Sequence, residues 1–165
     1  MPVNFSKLVV GTALAAASTL AVAVTPATWP VSPSRLYLST PFGTLNIAPS
    51  EYVYESRLRV DSVDIEPAIT GILNITYAFS TPKAQIALIS INDGNNVCPI
   101  SYRWVVLDAS GYNLSPEFGS CSEQIQVMAR GRLLTLRTPS HKAPGKIDVY
   151  TYDGKSIKHR VTTKP

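Results

Sequence analysis

An all-β, mainly antiparallel domain is the fold class this sequence predicts. It is expected to be a small sandwich or barrel of about eight to ten short strands, preceded by a cleaved signal helix. Three observations predict it. Beyond residue 34, no window sustains a 3.6-residue apolar period over about ten positions. Short runs of Val, Ile, Leu, Tyr and Thr recur instead, separated by Gly, Pro, Asn and Asp. Two Gly-containing dipeptides, Arg130-Gly131 and Asp153-Gly154, each sit between such runs as hairpin links would.

The N-terminus carries the layout of a bacterial-type export signal. Met1 to Lys7 is short and positive, and Leu8 to Ala23 is uncharged and rich in Ala, Leu and Val. The run closes on Ala21-Val22-Ala23, small residues that a signal peptidase accepts, so cleavage is expected after Ala23. The run is short for a membrane span and diluted with Ala, Ser and Thr, so no transmembrane segment is expected once the signal is removed. No Cys stands at the cleavage point and no Arg pair precedes the apolar run, which argues against a lipoprotein and against the twin-arginine route. Residues 1–23 thus read as the signal and residues 24–34, with Pro26, Pro30 and Pro33, as an extended leader. Residues 35–165 read as one β-rich domain, with Ser80 to Lys83 as a possible joint between two halves.

Within that domain, Arg35 to Ser39, Thr44 to Ile47, Tyr52 to Val60 and Val63 to Ile65 look like strands. Their alternation slips near Asp61-Ser62, which implies a bulge or turn. Leu73, Ile75, Tyr77 and Phe79 alternate with Asn74, Thr76 and Ala78, giving one apolar face. Ile86 to Ile91 is almost continuously apolar, as in a strand covered on both faces. In Ser101 to Leu107, Tyr102, Trp104 and Val106 oppose Arg103, Val105 and Leu107. Ile125, Val127 and Ala129 alternate with Gln126 and Met128, and Arg130-Gly131 leads to Arg132 to Arg137. The last hairpin joins Ile147–Tyr152 to Lys155–Lys158 through Asp153-Gly154, a type I′ signal.

Removing 23 of 165 residues leaves 142, enough for one domain with a real core. Its two cysteines, Cys98 and Cys121, lack metal-ligand spacing, so a disulfide is expected in an oxidising compartment. Charge is uneven. Residues 24–129 hold five basic and nine acidic side chains, whereas residues 130–165 hold nine basic and two acidic. A basic C-terminal part suits an anionic partner, unless neighbouring strands interleave and the two signs cancel.

Searches for chemistry return little. The only histidines are His141 and His159. Ser140, His141 and Asp148 could be drawn as a Ser-His-Asp site, but no nucleophile elbow accompanies them, and chance supplies such a trio readily. Neither histidine has Cys, Asp or Glu at ligand spacing, and Asp93-Gly94-Asn95-Asn96 lacks the distal Glu of a calcium loop, so no metal is expected. Nothing in the order of Glu51, Glu55, Glu66, Glu117 and Glu123 pairs any two as hydrolytic carboxylates. No Gly-rich phosphate loop occurs, and no cofactor is expected. The glycosylation-like triplets at Asn74 and Asn113 are discounted beside a bacterial-type signal.

The aromatic and basic C-terminal hairpin is the best candidate for a binding surface. Tyr150 and Tyr152 share a strand face with Asp148, and Lys155, Lys158 and Arg160 follow across the turn. Tyr and Arg are favoured at binding hot spots, although Tyr packed against Lys stems is also ordinary sheet surface. The expectation is a periplasmic or secreted, non-catalytic protein that docks on another exported protein or an anionic envelope surface. Inhibitor, immunity factor and assembly subunit are the roles considered. A small envelope hydrolase and a self-assembling envelope component are the alternatives. Nucleic acid is not expected, because no recognised nucleic-acid module is present.

Overall fold

A computed structural model describes residues 36–50 and 55–163. The signal (1–23), the leader (24–34) and the start of the expected strand at Tyr52 lie outside the described residues. Everything described is β-strand or connection. The described residues form twelve strands, more than the eight to ten expected, because short hairpin partners such as Gly111–Leu114 leave little pattern in sequence. Among the described residues, no helix is long and apolar enough to cross a membrane.

The strands form two antiparallel sheets. The first contains β1 (Tyr37–Thr40), β2 (Gly43–Pro49), β3 (Ser56–Val60), β4 (Val63–Asp64), β5 (Thr70–Ser80), β6 (Ala84–Asn92), β7 (Ser101–Asp108) and β8 (Gly111–Leu114). Its path is β1-β2-β3-β5-β6-β7-β8, with β4 on β3. The second contains β9 (Gln126–Arg130), β10 (Leu133–Pro139), β11 (Lys146–Tyr152) and β12 (Ile157–Thr163), ordered β12-β11-β10-β9. The arrangement is β-sandwich-like.

Two cores explain how the sheets pack. Leu45, Leu58, Ile65, Leu73, Ile75, Ile89, Val105 and Leu107 gather within the first sheet, which bends so that β1 to β4 cover one face of β5 to β7. The second core joins Phe79, Ile86, Leu88, Tyr102, Trp104 and Phe118 to Leu134, Leu136, Tyr150 and Tyr152, so the second sheet covers the other face. Strands β6 and β7 are therefore shared by both cores. That is why Ile86 to Ile91 reads as unbroken apolar sequence: odd positions serve one core and even positions the other.

Two local expectations are corrected. Leu73, Ile75, Tyr77 and Phe79 do not share one face. The β5–β6 register shifts between Ile75 and Tyr77, leaving Thr76 as an extra residue. Leu73 and Ile75 then enter the first core, while Tyr77 and Phe79 enter the second, since one inserted residue inverts a period of two. The type I′ geometry falls at Asp61-Ser62, not at Asp153-Gly154. Asp61 and Ser62 both have positive φ (50° and 71°) between the paired Val60 and Val63. The last hairpin closes through four residues, because the Asp153 carboxylate accepts from the amides of Lys155 (2.9 Å) and Ser156 (2.8 Å). Residues 80–83, the possible joint, form the β5–β6 turn, where Thr81 N–H donates to Ala84 O at 2.8 Å.

Cys98 and Cys121 are bonded to each other. The bond ties the segment entering β7 to the connection that leaves the first sheet for the second.

Candidate functional site

The second sheet has two faces, and strand alternation assigns each residue to one of them. Inward point Leu134, Leu136 and Thr138 from β10, and Asp148, Tyr150 and Tyr152 from β11. Tyr150 is 9% exposed and Tyr152 1%, so the two candidate hot-spot tyrosines belong to the core. Lys158 and Arg160 pair in register with Thr151 and Val149, which places them on the opposite, outward face. Lys155 lies in the connecting loop. The expected cluster is thus divided among three places.

Asp148 is a charged residue on that apolar inward face, 4% exposed. The connection after β8 and the register of β12 surround it with donors. Ser120 donates its hydroxyl to Oδ2, and His159 Nε2 stands 2.9 Å from Oδ1. Ser140 also bonds the carboxylate. Tyr150 OH lies 2.9 Å from Ser120 Oγ and donates to Gly119 O at 2.8 Å, while its ring stacks on His159 with centroids 4.6 Å apart. Burial alone pushes the Asp148 carboxyl upward. The bonds from Ser120, His159 and Ser140, with the charge of His159, outweigh it and hold the group below the usual aspartate range.

Serine, aspartate and histidine thus meet, but in an order that does not match acyl transfer. A relay needs imidazole against the serine hydroxyl, and here the carboxylate stands between Ser120 and His159. In the paper trio, Ser140 does reach Asp148, while His141 is exposed on the β10–β11 connection. The arrangement suits a brace. It holds the Gly119–Ser120 connection, β11 and β12 together through charge-assisted bonds. The sequence hint was the same-face alignment of Asp148 with Tyr150 and Tyr152, because a carboxylate in an apolar row must find partners.

That brace has a pH signature. Because the folded pKa of Asp148 is depressed, its contribution is fully present above the unfolded value near 3.9 and is lost as pH falls through the folded value. Asp148→Asn is expected to cost about 1–2 kcal/mol near pH 7. In urea titrations, the gap between variant and wild type should close as pH drops below about 4. A gap that stays constant down to about pH 2 would remove the ionised carboxylate from the explanation.

The outward face has a different chemistry. Met128 and Arg130 on β9, Leu133, Thr135 and Arg137 on β10, Val149 and Thr151 on β11, and Lys158, Arg160 and Thr162 on β12 line or adjoin a shallow groove of about 500 Å³. The sheet's acidic residues are elsewhere: Asp148 points inward and Asp153 is in the loop. Among the described residues, no carboxylate of this sheet therefore faces Arg130, Arg137, Lys158 and Arg160. Among the described residues, ion pairs form instead at Arg57, Arg59, Arg103 and His159. Arg137, Val149 and Arg160 lie side by side in register. Val149 is 2% exposed despite facing outward, as expected if the two arginine stems lie over it and leave their guanidinium groups in water. The uneven charge of the chain is therefore not cancelled across neighbouring strands of this sheet.

Comparison with protein-family models, with curated proteins and with solved structures returned no match.

Proposed function

We propose that the chain is an exported, non-catalytic binding module whose second sheet docks, by its outward face, on an acidic surface of another exported protein. The observation that carries this reading is the outward face bearing Arg130, Arg137, Lys158 and Arg160, where the described residues supply neither a carboxylate nor an ion pair. Leaving four cations unpaired on one small sheet builds a positive potential, which steers and orients an anionic partner. Exposed Met128 and Leu133 beside those cations supply apolar contact area. Export is supported by the N-terminal layout and by the Cys98–Cys121 bond, a pairing that persists in oxidising compartments.

The test is capture of partners from an envelope extract of the native host, followed by titration of the purified partner. Arg137→Glu with Arg160→Glu should weaken binding by tenfold or more, about 1.4 kcal/mol, with the affinity of the wild type falling as salt rises. Both side chains lie outside the two cores, so the variant should stay folded, with at most a small fall in melting temperature from the shorter cover over Val149. The same partner held equally well by a folded double variant overturns the assignment of this face.

A further inference from the structure

The two sheets do not end together. The inward rungs Ile86–Val106 of the first sheet and Leu134–Tyr152 of the second are cross-strand pairs, and both line one cleft. One rung further, Ala84–Asp108 continues the first sheet, whereas the second has already turned at Gly131-Arg132 and at Asp153-Gly154. A mouth of about 600 Å³ results, its walls mostly apolar and its rim carrying Lys83, Arg132 and Lys155.

Three cations, Lys83, Arg132 and Lys155, share this rim with two carboxylates, Asp108 and Asp153, which leaves a net charge of +1. Asp108 accepts from both the amide (2.7 Å) and the hydroxyl (2.5 Å) of Ser110. Asp153 accepts from the turn amides of Lys155 and Ser156. Both carboxylates are thus committed to their own turns, and no ion pair forms with the three rim cations among the described residues.

We infer that this mouth is a binding site for a small amphipathic anion, with a carboxylate or phosphate head on a hydrocarbon or aryl body. The apolar walls accept the body, and Lys83, Arg132 and Lys155 receive the head. The size falls within the usual range of small-molecule sites, and a few polar groups around an apolar cleft is their usual composition. The site lies at the turn end of the sandwich and shares no lining residue with the outward groove of the second sheet. It stands whether or not that groove docks a protein.

Calorimetric titration with dodecyl phosphate, kept below its micelle concentration, tests the inference. The wild type should bind with a micromolar dissociation constant. Lys83→Glu/Arg132→Glu/Lys155→Glu should weaken binding at least tenfold, and Ala84→Trp should block the mouth sterically. Dodecyl maltoside, which is uncharged, should bind far more weakly, and inorganic phosphate should not compete. Arg137→Glu/Arg160→Glu should bind the probe as the wild type does, which separates this site from the docking face. The inference is overturned by no binding up to about millimolar probe, by an unaffected and folded charge-reversed variant, by equal affinity for the maltoside, or by effective competition from phosphate alone.

Discussion

Replacing Trp104 with alanine is expected to lower stability by about 3–5 kcal/mol, the largest effect of any single substitution proposed for this chain. Trp104 is fully buried on the face of β7 that meets the second sheet. Its ring sits 6.0 Å from Phe79 and 6.4 Å from Phe118, and Phe118 in turn sits 5.4 Å from Tyr150 of β11. Removing it opens a cavity where the two sheets join, and the surrounding strands can collapse only partly into it. Urea denaturation should show the loss as a lower midpoint. Heating should show it as a fall in melting temperature of roughly 10 °C, from about 2–4 °C per kcal/mol at this size.

The same substitution tests how the two sheets are coupled. Strands β6 and β7 belong to both cores, so damage at Trp104 should destabilise the molecule as one cooperative unit. Two separated transitions in Trp104→Ala would show that the second sheet unfolds on its own. The indole Nε1 has no hydrogen-bond partner among the described residues, so part of the burial gain is offset by an unsatisfied donor. Trp104→Phe removes that donor and should cost well under half as much as alanine. A cost below about 1 kcal/mol for Trp104→Ala would contradict the packing account.

Features carried by local pattern were legible from sequence, and features set by register were not. The two-sided burial of β6 is written directly in Ile86–Ile91, and the opposed faces of β7 in Tyr102–Leu107. The disulfide followed from having two cysteines in an apparent exported chain. By contrast, nothing marks Thr76 as an extra residue, because a threonine fits a regular strand as well as a bulge. Within β5, the alternation beyond it was therefore inverted, which sends Tyr77 and Phe79 to the other core. Tyr150 and Tyr152 were correctly placed on one face with Asp148, but whether that face meets solvent depends on which sheet covers it. The partners of Asp148 lie 28 residues upstream at Ser120 and 11 downstream at His159, distances that only folding closes. The basic character of residues 130–165 was visible, and the gathering of Arg130, Arg137, Lys158 and Arg160 on one face came from the alternation of four short strands.

Breaking the Cys98–Cys121 bond, by reduction or by a double serine substitution, is expected to cost about 3 kcal/mol. The two residues are 23 positions apart, and the main effect is to restore entropy to the unfolded chain. A folded-state effect should add to it. Cys121 holds a left-handed backbone, φ 60°, which a non-glycine residue adopts at some cost. The residues just before it, Gly119 and Ser120, provide the acceptor for Tyr150 OH and the hydroxyl on Asp148. Without the cross-link, this connection can relax and withdraw Ser120 from the carboxylate, so the brace between the connection and β11 should weaken too. Urea midpoints with and without reductant measure the total. Hydrogen exchange locates the folded-state part, with the amides of Tyr102 and Phe118, which bond across to each other's carbonyls, losing protection first. Unchanged stability on reduction would mean that the strand ladders alone hold the connection. Loss of stability with unchanged protection at Phe118 would assign the whole effect to the unfolded chain.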